Sequence, residues 1–119
     1  MAEHKTNCIC TLRNIYKAIG ECELQLIKQF GLNLNEAMTL CTLYNQSLCA
    51  SEIAEAAGMQ CSQTSKVIKS LEKKGLLERQ FGKSDKRNMF FALTSSGKDI
   101  QQQITNYDLC IPKILNQLI

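Results

Sequence analysis

The chain has 119 residues, 45% of them hydrophobic and 21% charged, with one Pro and six Gly; that composition belongs to an ordered globular domain and excludes a low-complexity or disordered chain. No stretch reaches the ~18 uninterrupted apolar residues of a membrane span, and the opening residues MAEHKTNCIC hold no apolar signal core, so no membrane role is expected and the expected location is the cytoplasm. Seven cysteines, an odd number without framework spacing, read as mostly free thiols, and the net charge of +3 alone excludes little.

Divided along the chain, the charge says more. Residues 60–90 carry eight basic side chains (Lys66, Lys69, Lys73, Lys74, Arg79, Lys83, Lys86 and Arg87) against three acidic ones (Glu72, Glu78 and Asp85), while the remainder is net acidic. Positive charge gathered in one segment is the footprint of a surface that meets a polyanion. A solvated helix face is the alternative reading of a run such as SLEKKG taken alone.

In chain order, Ile9, Leu12, Ile15, Tyr16, Ile19, Leu26, Ile27 and Phe30 recur at three- and four-residue spacing and predict one long amphipathic helix ending at Gly31. Asn33 and Glu36 have capping-box spacing and open a second helix, with Leu34, Met38, Cys41 and Tyr44 expected as its buried stripe. Cys41 and Cys49 are accordingly expected to behave as small hydrophobes. A third, short helix is predicted over residues 50–57, with Ile53, Ala54 and Ala57 inward and Gly58 as its stop.

The fourth helix, from about Cys61, carries two opposed stripes. Thr64, Val67, Ile68 and Leu71 stand at i, i+3, i+4 and i+7 and should pack inward; Ser62, Ser65, Lys66 and Lys69 repeat the spacing on the other side. An outer stripe of small, polar and basic residues suits a helix that enters a DNA groove, because small side chains allow close approach while Lys and hydroxyls reach phosphates and base edges. Gly75 ends this helix, and LLERQF and MFFAL read as two strands flanking a basic loop. Thr94 or Ser95 then caps a last helix lined by Ile100, Ile104, Tyr107, Ile111, Ile114 or Leu115, and Leu118, with a kink or break expected just before Pro112.

This order of elements, with GLNLNEAMTL, SEIAEAAGM, TSKVIKSLEKKGLLERQ and SDKRNMFFALTSSGK in it, resembles the MarR family of bacterial transcription regulators over roughly two-thirds of the chain. The resemblance implies a mainly α, α+β fold: a single winged helix-turn-helix domain over 1–119. Its DNA-binding lobe would span 33–94 with the wing at about 76–93, and residues 1–31 and 95–119 would form dimerisation helices. It places Cys61, Ser62, Gln63, Ser65, Lys66 and Lys69 on the recognition helix and Lys83, Ser84, Asp85, Lys86 and Arg87 on the wing. There Asp85 would orient Arg87 for the minor groove, whose concentrated negative potential suits a planar cation. Departures from the family pattern are Cys49 and Gln60, which stand where hydroxyl-bearing N-caps are usual, each such cap contributing about 1 kcal/mol.

The function implied is sequence-specific binding of double-stranded DNA by a homodimer, as a repressor on a pseudopalindromic operator. Release would come from a small-molecule effector in the cleft between the dimerisation helices and the lobe, or from thiol oxidation. Cys8 and Cys10 are the redox candidates, with Lys5 and Arg13 close in sequence. A winged-helix protein-interaction module without specific DNA binding is the alternative, since the fold alone does not dictate the ligand. An enzyme is not expected: the one His is His4, and neither a Gly-rich phosphate loop nor a nucleophile–base arrangement is present. No cofactor is expected, and no metal site either, because the spacing of His4, Cys8, Cys10 and Cys22 matches no zinc pattern.

Overall fold

A computed structural model describes the backbone of residues 2–81 and 89–116, with side chains from residue 8 onward. Its elements are α1 (Ala2–Phe30), α2 (Leu34–Thr42), α3 (Ala50–Ala57), α4 (Cys61–Lys73), β1 (Leu77–Phe81), β2 (Met89–Leu93), α5 (Ser95–Asn106) and α6 (Lys113–Asn116). They fall into two compact units: residues 1–33 with 108–119, and Leu34–Tyr107.

In the first unit α6 packs on α1. The Gln25 side chain grips the Cys110 peptide at both ends, donating from Nε2 to the Cys110 carbonyl at 2.7 Å and accepting the Cys110 N–H at 2.9 Å. Helix α1 bears one broad apolar side, only part of which is covered. Ala18, Cys22 and Leu26 are buried, whereas Ile9 (70% exposed), Leu12 (62%), Tyr16 (80%) and Ile27 (46%) lie open. At about 100° per residue the two sets centre about 120° apart, on adjoining sides of the helix. The predicted set falls within one side of the helix, of which the edge nearest Leu26 is covered and the rest is open.

The second unit has its core between α2, α3, α4 and the hairpin, where Leu40, Leu43, Ile53 and Leu71 are at most 1% exposed. Burial of each contributes about 1.5–3 kcal/mol. The buried face of α2 is Glu36, Ala37, Thr39 and Leu40, followed by Leu43, in place of the expected set: Cys41 and Tyr44 are exposed, and Leu34 and Met38 are half-buried. The phase is shifted by about one residue because Glu36, polar by sequence, is turned inward onto partners in α4. Thr39 Oγ1 donates to the Asn35 carbonyl at 2.8 Å, so its burial leaves no unsatisfied hydroxyl.

At the start of α3 the Cys49 thiol lies 3.2 Å from Ser51 Oγ, within hydrogen-bond reach. Glu52 Oε1 accepts the Cys49 N–H at 3.0 Å, a bond that holds this carboxyl below the usual carboxylate range. Strands β1 and β2 pair antiparallel with Leu77 opposite Leu93, Arg79 opposite Phe91 and Phe81 opposite Met89. Leu77, Phe91 and Leu93 are buried on the face these pairs share, while Phe81 is 60% exposed. A bridge absent from the sequence reading ties the hairpin to the α2–α3 connection: Leu48 and Phe91 exchange both backbone bonds, at 3.1 and 2.8 Å.

Thr94 caps α5, its hydroxyl accepting the Gly97 N–H at 3.0 Å while donating to the Gly75 carbonyl at 2.7 Å. One residue on, Gly75 adopts φ +75°, the left-handed turn that only Gly enters without strain and that ends α4. The predicted last helix is two pieces, since the chain is irregular from Tyr107 to Pro112. Pro disfavours a helical residue before it and cannot donate to the ladder, so regular helix resumes only beyond it.

Gly97 presses on the Leu76 backbone so closely that a Cβ would run into the Leu76 carbonyl oxygen. Neither partner can rotate away. Gly97→Ala is therefore expected to destabilise the lobe by about 3 kcal/mol, at the upper end of ordinary overpacking, as measured by urea denaturation followed by circular dichroism; a loss below the error of the extrapolation would contradict this packing.

Candidate nucleic-acid interface

The turn between α3 and α4 closes with the Met59 N–H on the Ala54 carbonyl at 2.9 Å, and Met59 is buried. That anchor sets where α4 starts. No side-chain bond from Gln60 caps it; the Gln60 carbonyl instead accepts the Thr64 N–H and the Thr64 hydroxyl, both at 2.9 Å. Thr64, Val67, Ile68 and Leu71 are buried as the spacing predicts, which fixes the rotation of α4 about its own axis. Ser62, Ser65, Lys66 and Lys69 consequently face solvent together. Cys61 and Gln63 are exposed too, but at about 100° per residue they stand on the two flanks of that stripe rather than along it.

Lys73 is one the sequence reading counted as charge without assigning it to the site. It is exposed and continues the line of Ser62, Lys66 and Lys69 by one more turn; the i+4 spacing from Lys69 was the available signal. Among the described residues Lys66, Lys69 and Lys73 make no ion pair. Lys83, Ser84, Asp85, Lys86 and Arg87, expected on the wing, lie outside the described residues.

Two other cations of the basic segment are turned to internal use. Lys74 Nζ donates to Glu36 Oε2 at 2.8 Å, and Ser70 Oγ donates to the same oxygen at 2.7 Å. The Arg79 guanidinium grips Glu72 with two bonds, Nε to Oε2 at 2.6 Å and Nη2 to Oε1 at 3.1 Å, and lies 5.9 Å from the Phe91 ring centroid. The Glu72 carboxylate holds the Arg79 pKa above its usual value. The free positive charge described here is therefore carried by the outer stripe of α4 and not spread over the whole segment.

All seven cysteines are free thiols. Cys8 is exposed and Cys10 half-buried, whereas Cys22 is the buried one, its thiol pushed up by burial and by the nearby Glu21 and Cys110. Cys41 is exposed, against the expectation of a buried thiol, because the inward face of α2 is the neighbouring one, and Cys49, at the start of α3, is half-buried. No group of three or more His, Cys, Asp or Glu among the described residues could hold a metal ion. No helix among them is long and apolar enough to cross a membrane.

A helix–turn–helix made by α3 and α4, followed by an antiparallel hairpin bonded back to it through Leu48, defines a winged helix-turn-helix. The model of the MarR family matches residues 32–89, and the chain belongs to that family of transcription regulators, which are not enzymes. It is 35% identical over 91 residues to the HTH-type transcriptional regulator Hpr of Geobacillus thermodenitrificans (strain NG80-2), an alignment covering 76% of this chain and 46% of that protein. The chain thus spans about half the length of the curated relatives it matches. Among solved structures it is similar to the adhesin competence repressor AdcR of Streptococcus pyogenes, with 28% identity, a TM-score of 0.65, and 79% of this chain and 67% of that one covered. Its fold is also that of Sco3205, a MarR family transcriptional regulator from Streptomyces coelicolor solved in complex with DNA, with 24% identity, a TM-score of 0.80, and 88% and 70% covered.

The Glu36–Lys74 pair is lopsided, with side-chain exposures of 4% and 39%. Removing the acid lets Lys74 turn to water; removing the base strips the cation from a carboxylate that cannot leave. Lys74→Met should therefore cost about 3 kcal/mol, near the lower end for broken buried pairs because one partner is partly solvated, and Glu36→Gln about half as much. Equal costs in denaturant titrations at neutral pH would refute this asymmetry.

Proposed function

We propose that this chain is a cytoplasmic, sequence-specific DNA-binding repressor that acts as a homodimer on a pseudopalindromic operator. The observation that carries the reading is the outer stripe of α4: Ser62, Ser65, Lys66, Lys69 and Lys73 are exposed on one side of a helix whose other side is locked into the core. In this reading Ser62, Ser65 and Lys66 meet base edges in the major groove, Cys61 and Gln63 line its walls, and Lys69 and Lys73 meet phosphates. Lys83, Ser84, Asp85, Lys86 and Arg87 form the wing, with Arg87 in the minor groove. The similarity to a regulator solved in complex with DNA supports this assignment of the fold.

The dimer is supported by α1, where Ile9, Leu12, Tyr16 and Ile27 leave an apolar stripe open over some five turns. A stripe of that length is an association surface or an aggregation hazard, and a two-fold partner covers it with the same stripe. Two-fold symmetry then sets half-site centres about one helical turn, roughly 34 Å, apart. Release from the operator is assigned to a small ligand or to oxidation of Cys8 or Cys10; peroxide treatment of the protein–DNA complex, repeated with both cysteines replaced by Ser, separates the two.

Selection of bound duplexes from random sequence tests the proposal, with an enriched palindrome expected. On the recovered operator, Arg87→Ala should lower affinity and make the log–log salt slope shallower by about one unit, as for any lost phosphate or groove cation. Lys69→Ala should weaken all duplexes alike. Ser65→Ala should instead change preference among operator variants, by about 1–3 kcal/mol if a base contact is lost. Recovery of no enriched motif at moderate salt would favour a protein-binding role for the same surface.

A further inference from the structure

The Glu72–Arg79 pair poses a problem that the DNA reading does not solve. Glu72 is an acid on the last turn of the groove-facing helix, and an acid beside a polyanion weakens binding unless it serves another purpose. Its partner, Arg79, lies at the centre of β1, directly across from Phe91 in the strand register. The guanidinium is held on two sides, by the two carboxylate oxygens at 2.6 and 3.1 Å and by the Phe91 ring beneath it at 5.9 Å. Bidentate pairing fixes the plane of the guanidinium as well as its position, which a single contact does not.

The surroundings show why such a fixing is needed. Between the outer half of α4 and the hairpin lies a crevice of about 120 Å³, reached by Ser65, Lys69, Met89 and Phe91. The crevice separates the outer part of the hairpin from α4 there. The base of the hairpin is held by the Leu76 N–H on the Leu71 carbonyl at 2.9 Å, and its β2 side by the Leu48–Phe91 bridge; the Glu72–Arg79 pair adds a hold farther out along β1. A hold farther out on β1 limits twisting of the hairpin about that base.

We propose that Glu72 and Arg79, seated on Phe91, form a strut that sets the placement of the wing relative to the recognition helix. Both are then positioning residues for DNA binding, not contacts with DNA. The inference rests on the DNA-binding reading above. A recognition helix and a wing held at fixed separation bind as one rigid body, so the second contact forms at high effective concentration once the first is made. Loosening the strut lowers that effective concentration without removing any contact.

The sign of the effect separates the strut from plain electrostatics. Operator affinity and scrambled-duplex affinity would be measured for the wild type and for Glu72→Ala, Glu72→Gln, Arg79→Lys and Glu78→Gln, with circular dichroism and hydrogen exchange of the β1 and β2 amides on each free protein. Glu78 is the control, an exposed acid on the same strand outside the pair. Removing a negative charge near DNA should tighten binding or leave it unchanged, and Glu78→Gln should do so. Glu72→Ala should instead bind the operator about five- to tenfold more weakly, with faster exchange in the hairpin and retained helicity. Glu72→Gln and Arg79→Lys, each keeping part of the pairing, should fall between it and the wild type, and they decide the matter if Glu72→Ala does not fold. Folded Glu72 variants that bind as tightly as the wild type, or more tightly as Glu78→Gln does, would overturn the strut while leaving the DNA reading intact. A wild type that binds no duplex would overturn both, and that result is seen before any variant is compared.

Discussion

The outer stripe of α4 depends on one packing constraint, the burial of Thr64, Val67, Ile68 and Leu71 along the same helix. Four inward side chains on consecutive turns leave a helix no freedom to roll, because a rotation of one residue would expose Leu71 and bury Ser65 or Lys66. The cost of such a roll is several kcal/mol from Leu71 alone if the site does not collapse around the void. The exposed stripe is therefore a consequence of the core. Nothing on that outer face needs to hold itself in place.

Ion pairs complete what apolar packing begins, one on each flank of the same helix. Ser70 and Lys74 meet Glu36 of α2, and Glu72 meets Arg79 of β1. Apolar contacts are non-directional and tolerate small rotations and slides, whereas paired and hydrogen-bonded charges hold only near one geometry. The inner carboxylate adds little net stability once its desolvation is counted; what it contributes is a penalty on other arrangements of α2 against α4. Counting charges along the chain overstates the surface that can meet a polyanion, since Lys74 and Arg79 are occupied internally, and it understates how well the remainder is aligned.

Helix α4 was legible because it buries one regular face, and regular burial writes a period into the sequence; the strands, of which β1 buries only Leu77, were legible from their apolar and aromatic runs on either side of a charged loop. Thr94 was legible as a cap for the same kind of local reason: its hydroxyl needs only the N–H three residues on. What escaped was non-local. Glu36 reads as a solvent residue or a cap until its partners, 34 and 38 residues away, are known, and its burial shifts the whole inward face of α2 away from Cys41 and Tyr44. The Leu48 bridge is a single residue and has no period to detect. On α1 the spacings mark one broad apolar side, and nothing in them tells its covered edge from its open one. Of the site, Ser62, Ser65, Lys66 and Lys69 stand together as the spacing implies, and Lys73 joins them. The strut was unreadable because Glu72 and Arg79 lie on different elements and appear in the sequence only as charges of opposite sign.

The central claim is that DNA meets the outer face of α4 while the inner face and its flanking ion pairs stay in place. Titration of isotopically labelled protein with the selected duplex, followed by amide and side-chain NMR shifts, measures this directly. The account predicts large shifts at Ser62, Ser65, Lys66, Lys69 and Lys73 and in residues 82–88, with small ones at Leu40, Ile53 and Leu71. Shifts that leave α4 silent and gather on the exposed face of α5 or α3 would contradict it.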